Sequence, residues 1–373
     1  MKFDYLIIGS GFSGSVIAER IANELGKTCL VVDKRNHIGG NCYDYYDNND
    51  ILIHKYGPHI FHTQMQKVWD YLSRFTEWRP YEHKVLAEIE GKNVPVPFNF
   101  NSLHALFPKD YADKMEKLLI ETYGSGLKIP ILKLQETKNS ELKFLADYIY
   151  KNIFLGYNLK QWELKPEELD SSVSSRVPVH LSRDDRYFQD QFQAMPLNGY
   201  TKIFEKLLSN KKIKILLNTD YKEVIDYVKF DKLIFTGPLD QYFDYEFGRL
   251  PYRSLTFDLQ TYNQEVFQEV AQLNYPNQHD YTRATEFKHL TGQENKKTTV
   301  AYEYSFAYQE GKNEPYYPIP KAENSELFEK YKIEADKLKN VIFLGRLADY
   351  KYYNMDQTIG VALQTFEKKI AKA

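Results

Sequence analysis

The sequence predicts an α/β protein in which both ends of the chain build one parallel sheet, with a helical bundle and an antiparallel sheet inserted between them. Near the N-terminus, an apolar run at 5–8 leads through a glycine-rich turn into a helical pattern at 15–25, and a second buried strand occupies 28–32. Another buried strand at 341–345 precedes a helix that begins near Asp356. Because strand, turn and helix recur at both ends, we expect the two ends to form one domain.

The middle of the chain contains three further patterns. Between 103 and 150 the sequence is rich in Lys and Leu at helical spacing, which predicts a small helical bundle. Strand-like runs at 255–259, 298–304 and 316–319 predict an antiparallel sheet. The serine-rich stretch 170–175 is typical of a loop, and we expect it to be mobile. The expected domains are a discontinuous first domain over 1–80, 196–245 and 335–373, a bundle over 100–150, and a sheet domain over 81–99, 151–195 and 246–334.

Charge and composition exclude several classes of partner. The chain has 373 residues, and its 49 basic and 51 acidic side chains give a formal net charge of −2. Nucleic acid and anionic membranes are therefore not expected partners, and an anionic substrate needs a local cluster of cations. With only Cys29 and Cys42, a disulfide framework is not predicted. The chain begins directly with a strand pattern and has no apolar stretch of membrane-spanning length, so we expect a cytoplasmic protein.

The strongest single motif is a dinucleotide-binding fingerprint. Gly9, Gly11 and Gly14 form the pattern G-x-G-x-x-G between the first strand and the first helix. The first glycine permits a tight turn, the second lets a pyrophosphate approach the backbone, and the third lets helix and strand pack closely. Asp33, at the end of the second strand, is placed to bind a ribose hydroxyl. The sequence therefore predicts a bound dinucleotide, with its phosphates at the helix N-terminus.

The residues that follow favour FAD over NAD. The segment IGGN at 38–41 resembles the Gly-Gly pair that follows the acidic residue in FAD-binding proteins of the glutathione-reductase type. Gly345 and Arg346, at the end of the last strand, fit a second contact near the flavin. The segment GSG at 124–126 lacks a third glycine, so a second, nicotinamide-binding domain is not predicted.

A cluster of histidines at 54–62 has three interpretations. A metal site is not predicted, because no carboxylate pair lies nearby and neither cysteine is adjacent. The cluster can be an ordinary polar loop. Alternatively, Gly57 lets the backbone approach a flavin ring, and the histidines face that ring.

For the aromatic residues and the arginines, the sequence likewise allows both a structural role and a binding role. The aromatic rings of 154–162 can pack in the core or stack against a nucleobase. Arg176, Arg186 and Arg283 are isolated in the sequence, and their spacing alone does not distinguish a binding role from an exposed one.

Several short blocks together resemble the prokaryotic UDP-galactopyranose mutases over nearly the whole chain. They are GPHIFHT at 57–63, GY at 156–157, KQW at 160–162, YTR at 281–283, EFKH at 286–289, PYYP at 315–318, GRL at 345–347 and YY at 352–353. The resemblance implies a Rossmann-like FAD domain of the glutathione-reductase type, a helical bundle and a six-stranded antiparallel sheet, usually in a homodimer. It also implies an isomerase that interconverts UDP-galactopyranose and UDP-galactofuranose, with N5 of reduced FAD as covalent nucleophile at the anomeric carbon.

The resemblance assigns roles by position in this sequence. The expected catalytic residues are Arg176, Arg283 and His59. The expected substrate-binding residues are Phe154, Tyr157, Asn158, Trp162, Arg176, Tyr187, Arg283, Tyr317, Tyr352 and Asn354. The expected FAD-binding residues are Gly9, Gly11, Phe12, Ser13, Gly14, Asp33, Gly40, Asn41, Gly57, His59, Ile60, His62, Gly345, Arg346, Met355, Asp356 and Thr358. Ile153, Asn158 and Asn354 depart from the residues usual in the family. We expect the loop 170–175 to close over bound UDP.

Two other functions remain open at this stage. An FAD-dependent oxidoreductase of the amine-oxidase kind shares the glycine fingerprint but has no need of paired arginines for a diphosphate. A non-catalytic binding protein, like the GDP-dissociation inhibitors, shares the fold without a working flavin site. The intact set of Gly9, Gly11, Gly14 and Asp33 argues against this second alternative.

Overall fold

The computed structural model describes residues 2–170 and 175–372. The strands are β1 (Lys2–Ile8), β2 (Cys29–Val32), β3 (Asp44–Tyr46), β4 (Leu52–His54), β5 (Phe61–Thr63), β6 (Trp78–Pro80), β7 (Val85–Ile89), β8 (Lys92–Val96), β9 (Lys128–Ile129), β10 (Val179–His180), β11 (Phe192–Pro196), β12 (Ile213–Leu216), β13 (Lys229–Phe235), β14 (Tyr252–Tyr262), β15 (Gln272–Asn274), β16 (Arg283–Glu286), β17 (Thr298–Ala307), β18 (Tyr317–Pro318) and β19 (Val341–Phe343). The helices are α1 (Phe12–Glu24), α2 (Gln66–Leu72), α3 (Phe100–Leu106), α4 (Lys109–Tyr123), α5 (Ile131–Gln135), α6 (Ser140–Ile149), α7 (Gly156–Trp162), α8 (Tyr200–Leu207), α9 (Leu239–Tyr242), α10 (Phe287–Thr291), α11 (Ala322–Lys337) and α12 (Met355–Thr365). Short π-helical turns at Tyr150–Leu155 and Phe366–Ile370 extend α6 and α12.

A five-stranded parallel sheet joins the two ends of the chain, as predicted. Its order is β12-β2-β1-β13-β19, so the first strand lies in the centre and the last strand at one edge. Helix α1 covers one face and packs against α12, and its side chains Val16, Ile17 and Ile21 are fully buried. The central strands read as continuous apolar runs because both of their faces are covered.

The second sheet differs in detail from the one that the resemblance implied. It has seven strands in the order β18-β14-β17-β16-β15-β7-β8, and not six. Most neighbours are antiparallel, but β15 and β7 pair in parallel. The hairpin of β7 and β8 (residues 85–96) precedes the helical bundle and enters the sheet far from its sequence neighbours, so no local pattern reveals this pairing.

Helices α3–α6 form a bundle whose hydrophobic core is continuous with the hairpin of β7 and β8. Ala112, Met115 and Leu119 of α4 face Leu142 and Leu145 of α6, and all five side chains are buried. Their spacing is the three-to-four-residue repeat of an amphipathic helix. The strands of the parallel sheet and those of the seven-stranded sheet all fall within the ranges expected for the first domain and the sheet domain. The domain boundaries themselves remain a proposal.

Residues 171–174 of the expected lid lie outside the described residues. Among the described helices, none combines the length and apolar character required to cross a membrane.

Candidate active site

Two adjoining cavities lie beside the carboxyl ends of the parallel strands. The smaller one, about 230 Å³, is bordered by the ends of β1, β2 and β13 and by the glycine-rich turn. The larger one, about 400 Å³, is bordered by the seven-stranded sheet, α7 and the residues 56–60. Four residues line both cavities: Asn41, His59, Arg346 and Met355. A ligand can therefore extend from one cavity to the other, as an elongated cofactor beside a substrate requires.

The glycine-rich turn brings two backbones together at the floor of the smaller cavity. Gly9 has φ +98°, and a Cβ there would lie 2.1 Å from Oγ1 of Thr236. A Cβ on Gly40 would lie 2.9 Å from Cα of Gly11, so these two segments touch through backbone alone. Helix α1 starts directly after Gly11 without a side-chain cap. Its first N–H groups and the positive end of its dipole suit the phosphates of a dinucleotide.

Two carboxylates line the smaller cavity. Asp33 accepts hydrogen bonds from the backbone N (2.8 Å) and Oγ (2.6 Å) of Ser10 and from the backbone N of Arg35 (3.0 Å). Arg35 in turn donates to Glu314 (3.0 Å), which lines the same cavity. Acidic groups after the second strand are the usual ligands of ribose hydroxyls in this kind of fold. Asp33 was predicted from the sequence, and Glu314 was not.

The structure distributes the expected FAD-binding residues over the two cavities. The smaller cavity is lined by Gly9, Gly11, Phe12, Ser13, Asp33, Gly40, Asn41, His59, Arg346, Met355 and Thr358. The larger cavity is lined by Asn41, Gly57, His59, Ile60, His62, Arg346 and Met355. Gly14, Gly345 and Asp356 line neither. Two of them serve packing: a Cβ on Gly14 would lie 1.9 Å from the carbonyl oxygen of Gly9, and one on Gly345 would lie 2.6 Å from Oγ of Ser13.

All ten expected substrate-binding residues line the larger cavity. Strand register explains part of this convergence. Asn274 of β15 pairs with Arg283 of β16, and Arg283 pairs with Glu303 of β17. Because directly opposed residues point to the same face of a sheet, the three polar side chains form one row across it.

Arg283 is held by a buried carboxylate. Its Nε donates to Oε2 of Glu303 at 2.8 Å, and the Glu303 side chain is 1% exposed. Burial alone would lower the pKa of Arg283. The charge of Glu303, together with the hydroxyls of Tyr157 and Tyr317, has the larger effect and raises this pKa well above its ordinary value. Glu303 occupies Nε, and within residues 2–170 and 175–372 no hydrogen bond is made by the two terminal nitrogens, which can therefore bind a ligand in the cavity. A planar guanidinium in this orientation suits a phosphate.

Arg176 approaches the cavity from a different side. Its Nη2 donates to Oδ1 of Asn354 at 2.7 Å, and its guanidinium lies 4.0 Å from the ring centroid of Tyr352. Asn354 caps the N-terminus of α12. The structure therefore places Arg176 beside a helix N-terminus. An anion bound there is stabilised both by the guanidinium charge and by the helix dipole.

His59 lies where the two cavities meet, and it is neutral. Burial, assisted by the neighbouring His54, lowers the pKa of His59 to about 3. Its Nδ1 lies 2.8 Å from the carbonyl oxygen of Gly57, which can only accept, so Nδ1 carries the proton. The backbone N of His59 donates to Nδ1 of His54 (3.0 Å). This geometry supports the interpretation of the histidine cluster as a shaped loop that faces a ligand.

Helix α7 and the π-helical turn before it form the aromatic end of the larger cavity. Phe154 and Tyr157 line this end together with Asn158, whose Nδ2 donates to the carbonyl of Phe154 at 2.9 Å. Lys160 does not enter the cavity but donates to the carbonyls of Tyr275 (2.7 Å) and residue 278 (2.6 Å). Lys160 thus anchors the helix, while Phe154, Tyr157 and Trp162 contribute uncharged rings to the cavity.

Comparison with known proteins relates this site to one family. The family model described as UDP-galactopyranose mutase matches residues 152–352, and a model of an NAD(P)-binding Rossmann-like domain matches residues 7–75. A protein of Klebsiella pneumoniae described as a probable UDP-galactopyranose mutase is 39% identical over 97% of this chain and 94% of its own. The chain belongs to the UDP-galactopyranose mutase family.

Other members of the mutase family differ in the sugar nucleotide that their names give. A UDP-galactopyranose mutase of Mycoplasma genitalium is 36% identical over 99% of this chain and 95% of its own. A dTDP-fucopyranose mutase of Escherichia coli is 35% identical over 96% of both chains.

Solved structures share the fold at lower identity. A crystal structure of reduced UDP-galactopyranose mutase has a TM-score of 0.79 at 17% identity and covers 100% of this chain and 95% of its own. A structure described as a putative protoporphyrinogen oxidase from Exiguobacterium has a TM-score of 0.62 at 12% identity and covers 97% of this chain and 98% of its own. At these identities the likeness concerns the fold alone.

Sequence reasoning missed several residues that line or support the larger cavity. They are His83, Phe188, Gln272, Asn274 and Tyr316 in its lining, with Asp190 and Glu303 behind it. Glu303 lies in the predicted strand run 298–304, but β15, which carries Asn274, was not predicted from the sequence. The register that aligns both residues with Arg283 was not visible either. Phe188 and Asp190 lie in a stretch without a recognisable local pattern, so no signal in the sequence identified them.

Proposed function

We propose that the protein interconverts UDP-galactopyranose and UDP-galactofuranose, with FAD as a cofactor that is active when reduced. The observation that carries the proposal is a large cavity with two arginines and an aromatic end, joined to a glycine-turn cavity of the dinucleotide-binding kind. The names of the relatives from Klebsiella pneumoniae and Mycoplasma genitalium support this substrate.

The residues around the smaller cavity fit FAD. The turn at Gly9 and Gly11 and the uncapped start of α1 suit the pyrophosphate, and Asp33 suits a ribose. The shared wall of His59, Arg346 and Met355 is where a flavin ring would border both cavities. When bound in its reduced form, the flavin supplies a nucleophilic nitrogen for the anomeric carbon of the sugar.

The protein itself would hold the substrate and stabilise the departing nucleotide. Tyr157 and Phe154 offer ring faces to the uracil, which needs stacking surface and little charge. Arg176 and Arg283 reach the diphosphate from two sides, so that negative charge gathering there on departure meets two fixed cations. This division of labour agrees with the scarcity of acid–base groups in the cavity.

The test is product analysis under anaerobic conditions. Purified protein reconstituted with FAD is mixed with UDP-galactofuranose, with or without dithionite, and the nucleotide sugars are separated by chromatography. We expect many turnovers of isomerisation after a single reduction and almost none by the oxidised protein. Equal conversion by oxidised protein would contradict the requirement for reduced flavin, and one reductant consumed per product would indicate an oxidoreductase. A parallel reaction with dTDP-fucofuranose tests the activity named for the Escherichia coli relative.

Removing Arg176 should weaken diphosphate stabilisation without loss of FAD. We expect Arg176→Ala to lower kcat/KM. The loss should correspond to about 2–5 kcal/mol of transition-state stabilisation, the range for removing one partner of a desolvated charge interaction. Asn354→Ala should have a smaller effect, because it keeps the guanidinium charge and removes the hydrogen bond that orients it, together with the cap of α12. Flavin absorbance per protein is the control. Loss of flavin together with activity would mean that Arg176 contacts the cofactor.

We propose in addition that the protein is a cytoplasmic homodimer, as the family resemblance implies. Static light scattering of the FAD-loaded protein tests the dimer. A mass near 44 kDa, the mass of one chain, would contradict it.

A further inference from the structure

His62 and Asp190 form a hydrogen-bonded pair at the wall of the larger cavity. Nδ1 of His62 lies 2.6 Å from Oδ2 of Asp190. The hydrogen bond from His62 is the main cause that holds the pKa of Asp190 below its ordinary value, although partial burial opposes it. Asp190 therefore accepts as a carboxylate, and Nδ1 of His62 carries the proton. The imidazole is left with Nε2 as its remaining polar atom, on a residue that lines the cavity.

The surrounding chain fixes the pair in place. His62 lies on β5 and is paired in register with Gln193 of β11. The side-chain amide of Gln193 donates to the backbone carbonyls of Phe188 (3.1 Å) and Asp190 (3.0 Å), which shapes the turn that carries the carboxylate. Phe188 stacks on the imidazole, with ring centroids 3.6 Å apart and an angle of 12° between the planes. The ring of His62 is thus held on one face and at one nitrogen.

Ring contraction requires proton transfer, and the other histidines and the arginines of the cavity are poorly suited to carry a proton. The bond between C1 and the ring oxygen O5 breaks, and O5 must gain a proton. A bond between C1 and O4 forms, and O4 must lose one, so the reaction needs no net proton. His59 and His83 are poor carriers, because burial lowers the pKa of each to about 3. Arginine does not give up its proton in proteins.

The geometry points to His62 as the proton carrier for the sugar, with Asp190 as the residue that positions it. This inference rests on the proposed function. With the uracil at the aromatic end and the diphosphate at the two arginines, the sugar occupies the remaining part of the cavity, toward His59 and His62. His62 starts this sequence as an imidazolium beside the Asp190 carboxylate, with a proton on each ring nitrogen. Nε2 gives its proton to O5 as the C1–O5 bond breaks, and the neutral ring, with its remaining proton on Nδ1, takes one from O4 as the C1–O4 bond forms, which restores the imidazolium. The carboxylate holds the ring in the orientation and tautomer that expose Nε2, the role of the aspartate in other histidine dyads.

The first test is kinetic. In FAD-loaded, reduced protein, Asp190→Asn should lower kcat by about tenfold or more while KM changes little, and Asp190→Glu should recover much of the loss. His62→Gln should lower kcat by roughly 10²- to 10⁴-fold. The matched control is Glu116→Gln, because Glu116 pairs with His104 at the same 2.6 Å distance on the helical bundle, away from the cavity. Unchanged kcat in Asp190→Asn, or a loss expressed only in KM, would overturn the inference.

The second test needs no activity. Selective ¹⁵N labelling of histidine in the FAD-loaded protein, recorded over a range of pH, should show one ring whose neutral form keeps its proton on Nδ1. This signal should be absent in His62→Gln, and Asp190→Asn should change the tautomer of the neutral ring. Thermal unfolding and flavin absorbance of both variants must match the wild type. If the wild type isomerises neither sugar nucleotide, the proposed function is wrong. The tautomer measurement would still show whether Asp190 orients the ring of His62. If the wild type does isomerise and the tautomer does not depend on Asp190, only the present inference fails.

Discussion

Arg283→Ala is expected to lower kcat/KM and to leave the FAD content unchanged. The fall should correspond to a loss of about 2–5 kcal/mol of transition-state stabilisation. Arg283 would contact the diphosphate through its two terminal nitrogens, because Glu303 already accepts from Nε at 2.8 Å. The variant also leaves Glu303, whose side chain is 1% exposed, without its cation. We therefore expect a second effect, a fall in the free energy of unfolding of about 3–5 kcal/mol. Steady-state kinetics and denaturant unfolding measure the two effects separately.

A double variant distinguishes loss of function from loss of stability. Replacing both members of a buried pair by apolar side chains is often neutral, so Arg283→Leu with Glu303→Leu should unfold much like the wild type and remain inactive. The control is Arg183→Ala, since Arg183 also pairs with a glutamate but is 54% exposed and should matter little. Near-wild-type activity in Arg283→Ala would contradict the assignment of the diphosphate site and, with it, the proposed function.

Gly9→Ala is expected to abolish FAD binding. The position has φ +98°, which costs an L-residue about 1–2 kcal/mol, and the added Cβ would lie 2.1 Å from Oγ1 of Thr236. Relief requires the turn before α1 to move, and that turn borders the smaller cavity. Flavin absorbance per protein after reconstitution and dialysis should fall close to zero, and activity should fall with it.

Gly91→Ala is the matched control for this change. Gly91 also has a positive φ, +78°, but nothing lies within 4 Å of the position that its Cβ would take. It sits between β7 and β8, outside the residues that line either cavity. Both variants carry the backbone strain, and only Gly9→Ala carries the clash at the cofactor. Equal retention of FAD by the two proteins would refute the role given to the glycine turn.

Local patterns in the sequence determined the fold class and the first cavity. The apolar run of β1, the glycines at 9 and 11 and the acidic residue at 33 lie within one continuous segment, and short-range sterics dictate a tight turn and an exposed helix N-terminus there. The family resemblance added the reaction class, because its blocks are too specific to arise from packing alone. Each of these signals is contained in a few neighbouring residues.

Only the tertiary structure decided how distant residues meet at the larger cavity. Glu303 reaches Arg283 because β16 and β17 pair in one register, and Asp190 reaches His62 because β5 and β11 pair in another. The seven-stranded sheet likewise includes β7, which lies far from β15 along the chain. A register shift of one residue would turn these side chains to the other face of the sheet. The sum of packing over whole strands selects the register, and for that reason no short stretch of sequence encodes the partners of Arg283 and His62.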